Sequence, residues 1–470
     1  MPKDWERFEG YAHLIRSISL PDLHNYRAIC TRIAQTQPPG TVLFRNLHTL
    51  RFSAHDINDD LLHYTQFMVP SIMTLELKLT GRESVELSSA MKLFFGCIAS
   101  RLQHLRSLSI SLAVIKSHPV LFIGLLARTL EGLKNLEYVV LPPCLVVGKV
   151  ITSLSRHPHL VEINPAYGSL AMEAYSMASC STSSPELTDI SFPSLSAISL
   201  CTIPRSAHAL LANPYFPANQ ISRIHVQVFS QRHRRGEREP FELLMRTIAG
   251  NCTNIEDVTI TEFKRPNDNN DLVLSYRSIR EILRCTRITS LKIDFRGCLP
   301  WTVQDLNEFA SFLPAATTLM LNQAPFHPTL PTVRIEAVLS AFSRHCLLLQ
   351  ELGFYFDARS QPGFSEGSSE CLSVPRFRSL AVLHVGSSPI TDSSQNVVDI
   401  TAFLIAVLPA RCKLRWVRKS DEFNAGSSDV DTGDESSVSS MEDDNCAWQR
   451  VGQLRDLHSK APRPLLGAPV

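Results

Sequence analysis

No apolar run in this sequence is long enough to cross a membrane. The longest clean one, Val120 to Ala127, falls far short of the roughly 20 residues that a spanning helix needs. The opening Met1-Pro2-Lys3-Asp4-Trp5 does not lead into a signal-peptide core. An intracellular location, cytoplasmic or nuclear and away from membranes, is the resulting expectation. Glycine is scarce, 19 in 470 residues, and no glycine-rich strand-to-helix turn occurs, which argues against a dinucleotide-binding sheet. There is no CxxC pair. The twelve cysteines are spread from Cys30 to Cys446, mostly in apolar stretches, so buried reduced thiols are expected rather than a disulfide framework. Charge of one sign is lacking too: the net charge is +1, and no basic stripe suited to nucleic acid is present.

Catalytic signatures are equally absent. The sequence contains no HExxH, no GxSxG, no Walker loop and no Cys/His set at zinc spacing. His157 and His159, and His345 and Cys346, are neighbours that no further ligand completes. The paired carboxylates Glu256/Asp257 and Asp443/Asp444 have no setting that would separate their pKa values for acid–base work. No catalytic residue, no metal site and no cofactor is expected, and the chain reads as a non-enzyme.

What the sequence does contain is one short unit, an apolar residue, two others, then apolar–any–apolar. It occurs at Leu47/Leu50/Phe52, Ile72/Leu75/Leu77, Leu105/Leu108/Ile110, Leu136/Val139/Leu141 and Leu195/Ile198/Leu200. It returns at Ile221/Ile224/Val226, Ile255/Val258/Ile260, Ile288/Leu291/Ile293, Leu349/Leu352/Phe354 and Leu380/Leu383/Val385, with weaker copies at Leu160/Ile163, Leu319/Leu321 and Leu414/Trp416. The spacing of roughly 24 to 35 residues lies at or just above the leucine-rich range. Period-2 alternation within each copy reads as a strand with one buried face. Between copies the period becomes helical, as in Leu87, Met91, Phe94, Ile98, Leu102 and Leu105. Strands returning through helices run parallel.

Two architectures satisfy this alternation, a barrel or doubly wound α/β enzyme and an open solenoid. The shared LxxLxL unit favours the second, because barrel strands have no common motif. The expected fold is therefore α/β: an irregular leucine-rich-repeat solenoid with parallel strands on the concave face and helices on the convex face. The expected organisation is an N-terminal helical cap over residues 1–40, a solenoid of about 12–13 units over 41–418, and an acidic, Ser-rich, disordered tail over 419–470. The tail carries nine acidic residues and no basic one between Ser420 and Asp444. Full burial of Phe423, Val430, Val438 and Met441 would return only about 6 to 12 kcal/mol, against roughly 25 to 50 kcal/mol of backbone entropy for those 25 residues. Serines beside its acids, such as Ser436, Ser437, Ser439 and Ser440, resemble acidophilic kinase sites.

The opening Asp4-Trp5-x-Arg7-Phe8-x-x-Tyr11-Ala12-x-x-Ile15-Arg16-x-Ile18 and the segments Phe44-x-Asn46-Leu47-x-Thr49-Leu50 and Phe192-Pro193-Ser194-Leu195 resemble fungal F-box proteins of the leucine-rich-repeat type, over about residues 4 to 417. The resemblance implies a substrate-recognition module whose repeats hold a protein while F-box helices dock on the adaptor of a cullin–RING ubiquitin ligase. No Leu-Pro-x-Glu-type F-box precedes Trp5 in this sequence. That departure leaves two expectations open, a truncated version of a longer protein or a free-standing repeat module with another partner.

In a solenoid the residues between buried strand positions face the concave surface. The candidate partner-binding set is Arg51, Lys78, His225, Gln227, Thr259, Lys292, Asp294, Asn322, Tyr355 and His384, with Glu76, Ser109, Ser111 and Thr261 beside them. Its mixed charge points to a protein rather than a polyanion. Tyr355 is the most anchor-like member. Three loops, Gln231 to Arg238, Tyr167 to Thr188 and Ala358 to Pro375, are further candidates for contact.

Overall fold

The computed structural model describes residues 3–20, 27–36, 42–54, 61, 63–79, 89–112, 119–142, 145, 146, 148–165, 185–228, 238–262, 275–295, 297, 299–325, 331–359, 374–416 and 438–460. The chain divides into two compact units, residues 1–229 with 251–253, and residues 230–250 with 254–470.

The first unit holds eight parallel strands in sequence order: β1 (Ser17–Leu20), β2 (Thr49–Ala54), β3 (Thr74–Leu79), β4 (Ser107–Leu112), β5 (Tyr138–Leu141), β6 (Glu162–Pro165), β7 (Ala197–Thr202) and β8 (Arg223–Val228). The second holds six: β9 (Asp257–Glu262), β10 (Ser290–Asp294), β11 (Thr318–Leu321), β12 (Glu351–Phe354), β13 (Val382–Gly386) and β14 (Lys413–Trp416), again each beside its predecessor. Each unit is an α/β solenoid of the leucine-rich-repeat type.

The central residue of the sequence motif sets the register. In the first unit Ile18, Leu50, Leu75, Leu108, Val139, Ile163, Ile198 and Ile224 lie opposite one another across the eight strands. From Leu50 onward all of them are buried. In the second unit Val258, Leu291, Leu319, Leu352 and Leu383 do the same. A one-residue slip would turn every member of these rows to solvent, so burial itself fixes the alignment. The backbone adds a second lock. In the first unit one carbonyl just before the strand accepts two N–H groups from the next repeat: Arg16 from His48 and Thr49, His48 from Met73 and Thr74, Met73 from Arg106 and Ser107, Arg106 from Glu137 and Tyr138. Both lone pairs of that oxygen are thereby used, and the pattern recurs in the second unit at Glu256, Thr289, Thr317 and Gln350.

Helices return the chain between strands at Ser89–Arg101, Pro119–Gly132, Gly148–Ser155 and Pro204–Leu211, then at Arg238–Asn251, Tyr276–Arg280, Val303–Ser311, Ile335–His345 and Ser394–Val407. Thr302 closes a capping box with Asp305 at the start of Val303–Ser311, and Ser393 caps Ser394–Val407. Aromatic rings step from repeat to repeat under the sheet of the first unit. Phe52 stacks on Tyr64 at 4.0 Å and meets Phe94 edge-on at 5.6 Å, while Phe95 meets Phe122 at 5.4 Å.

The structure departs from the sequence-based expectation at the C-terminus. Residues 438–460 form a helix, Val438–Lys460, where an unstructured tail is expected. Trp448 is 1% exposed and donates its indole N–H to the Ser388 carbonyl at 2.8 Å. Ala447 and Val451 are buried beside it, and the buried Arg455 guanidinium donates to the carbonyls of Cys412 and Pro409. Ser420 to Asp444 offers little apolar area to bury, whereas the apolar stripe Ala447, Trp448 and Val451 lies just beyond it. The rest of the expected tail, 419–437 and 461–470, lies outside the described residues, as do most of the three candidate loops, at 229–237, 166–184 and 360–373.

Candidate functional site

Strand geometry decides which side chains are available to a partner. Residues flanking each buried central position project from the face opposite the helices. Across β1 to β4 this face forms a depression of about 350 Å³ lined by Ser19, Arg51, Ser53, Glu76, Lys78, Ser109 and Ser111, together with Leu20, Phe52 and Leu77. The register builds it from two rows. One runs Ser19, Arg51, Glu76, Ser109 over β1, β2, β3 and β4; the next runs Ser53, Lys78, Ser111 over β2, β3 and β4. Arg51 Nε donates to Glu76 Oε1 at 2.7 Å, with both side chains about half exposed. Lys78 is exposed between two serines.

The other candidates of the first unit are farther along the sheet. His225 and Gln227 on β8 are half-buried, opposite Ser199 and Cys201. The Gln227 side-chain carbonyl accepts the Cys201 thiol at 3.0 Å. Glu162 pairs with Arg223 at 3.2 Å and also accepts from Asn164 at 2.8 Å.

In the second unit, Thr259 on β9 and Lys292 on β10 are register partners, as are Thr261 and Asp294, and Lys292 and Asp294 are exposed. His384 on β13 stands between Gly353 and Arg415, and its Nε2 lies 2.8 Å from Glu351 Oε1, with 13% of the side chain exposed.

Two members of the expected set do not belong on an open face. Asn322 is 2% exposed and has φ of +50°. Its side chain accepts from the Phe295 N–H at 3.1 Å and donates to the Gly297 carbonyl, so it ties down the chain leaving β10. Asparagine tolerates the left-handed backbone that this turn requires. Tyr355 is 7% exposed. Strand alternation ends at Phe354, and the chain turns inward so that Phe354, Tyr355 and Phe356 are buried in succession. Conversely Ser19 and Ser53 line the depression, though neither is in the expected set; the signal was their spacing of two from Ser17 and Arg51 on alternating strands.

Buried titratable groups elsewhere are structural. Burial pushes the thiols of Cys285 and Cys412 up to about 11 and that of Cys346 to about 12, which keeps them protonated and unreactive. Burial lowers His157 to about 4, opposed by the bond of its ring to the Leu130 carbonyl. Among the described residues no group of three or more His, Cys, Asp or Glu is placed to hold a metal ion, and no helix is long and apolar enough to cross a membrane.

No protein-family model matches the sequence, and no curated protein matches it. A solved structure similar to it is the crystal structure of a TLR13–ssRNA13 complex, at 12% identity and a TM-score of 0.36, covering 80% of this chain and 50% of that one. The chain thus spans half the length of that protein. The assignment to a repeat scaffold rests on the strand register and the periodic burial described above.

Proposed function

We propose that this chain is a non-catalytic scaffold whose strand face holds a protein partner, and that it serves as the substrate-recognition module of an F-box-type ubiquitin ligase inside the cell. The observation that carries the first part is the depression across β1 to β4. Its side chains stand out from a backbone locked by neighbouring strands, so they are presented with little conformational freedom left to lose on binding. The polar, mixed-charge lining suits a protein surface. The ligase role rests on the resemblance of residues 4 to 18 and of the repeats. An intracellular setting accords with the cysteines, eight of which form no disulfide with one another among the described residues.

A pull-down of the full-length chain from a cell extract containing cullin–RING ligases, read by mass spectrometry, tests both parts. Recovery of the adaptor and cullin together with other enriched proteins is the expected result. Enrichment of other proteins without the ligase subunits would reduce the function to a free-standing repeat scaffold.

A further inference from the structure

We propose that the row Ser53–Lys78–Ser111 is an anion-recognition point, holding a carboxylate or phosphate carried on an extended segment of the protein partner. This rests on the scaffold reading above and names the chemistry that its face selects.

Charge balance is the first support. In the first unit the glutamates at or beside the strand face are already matched: Glu76 with Arg51 at 2.7 Å, Glu137 with Arg106 at 3.4 Å and Glu162 with Arg223 at 3.2 Å. Lys78 has no ion-pair partner among the described residues, and it lines the depression. A cation with no ion-pair partner among the described residues, set in a polar depression, is where a ligand's negative charge is best compensated.

Register is the second. Ser53 and Ser111 are the strand partners of Lys78 on either side. Adjacent strands lie about 4.8 Å apart, so an oxyanion seated on the ammonium has a hydroxyl donor within reach on each flank. Shape is the third. The floor around the row is made of small side chains, Ser19, Ser53, Ser109 and Ser111, which let a partner's main chain come close to the sheet. The Arg51–Glu76 pair in the adjoining row supplies a donor and an acceptor to that main chain. A single unmatched lysine beside a neutralised arginine is too little positive charge for a nucleic-acid backbone, which calls for several phosphate contacts. The occupant is therefore a protein segment with one acidic group at the centre.

The test uses the full-length chain against four immobilised sets of nonapeptides, degenerate except for a central Glu, phosphoserine, Ser or Lys. The expected result is that the Glu set, the phosphoserine set or both are retained about tenfold more strongly than the Ser and Lys sets. The ratio of the two acidic sets identifies carboxylate or phosphate as the natural group. Lys78→Glu is expected to reverse the preference, Lys78→Arg to keep it, and added salt to weaken it. Equal retention of all four sets, or an unchanged preference in Lys78→Glu, overturns the anion point and leaves the scaffold reading intact. Retention of no set, while the chain still captures proteins from extract through its strand face, overturns it as well. Loss of that capture counts against the scaffold reading itself.

Discussion

His157 sits on a turn with its ring almost fully buried, one nitrogen engaged by the Leu130 carbonyl and Nε2 without a partner. Such an imidazole stays neutral in the folded protein, with its pKa lowered to about 4 by burial. The unfolded chain takes up the proton nearer 6.5. Stability from this group is therefore unchanged above about pH 6.5 and is lost as the pH falls from there towards 4, by on the order of 3 kcal/mol. The urea midpoint of the wild type should fall relative to that of His157→Leu as the pH drops through this range, because only the wild type carries this loss; parallel curves would refute it. Individual roles like this one were only partly legible in the sequence. Arg51, Lys78 and Lys292 could be placed on the open face by alternation alone. Asn322 and Tyr355 could not, because each stands just past the end of its strand, where the backbone turns and the period-2 rule no longer holds.

Among the elements, the C-terminal helix Val438–Lys460 is the one that composition concealed. Ala447, Trp448, Val451 and Arg455 recur at helical spacing, yet they follow an acidic stretch whose burial return is small. Tertiary contacts supply what local composition lacks. Trp448 meets Phe356 edge-on at 6.1 Å and bonds Ser388, whose hydroxyl in turn accepts the Phe356 N–H at 3.1 Å. Gly452 lies against the Trp416 ring on β14, so the helix covers the last strand of the second unit. Terminal repeats need such a cover because their apolar interior has no following repeat to rest on. Trp448→Ala should lower the stability of this end by about 3–5 kcal/mol. Limited proteolysis should then cut within 438–460 much faster than in the wild type. An unchanged cleavage pattern would mean that the helix contributes nothing to the cover.

At the scale of the whole molecule, the strand–helix alternation, the parallel direction and the central row of every strand from β2 to β13 were readable from the LxxLxL unit, since one buried residue per repeat determines all three. The chemistry of the outward strand face was less readable. Sequence marks which positions face outward, but the pairing of Arg51 with Glu76, and the lack of an ion-pair partner for Lys78 among the described residues, depend on how neighbouring strands align. The most direct test of the account is therefore a comparison of three full-length baits in the same extract: the wild type, a strand-face variant combining Arg51→Ser with Lys78→Ser, and a helix-layer variant combining Lys92→Ser with Arg128→Ser, two exposed positions on the opposite layer. Proteins enriched by the wild type should be lost on the strand-face bait and kept on the helix-layer bait. Retention on the strand-face bait with loss on the helix-layer bait would contradict a scaffold that works through its strands.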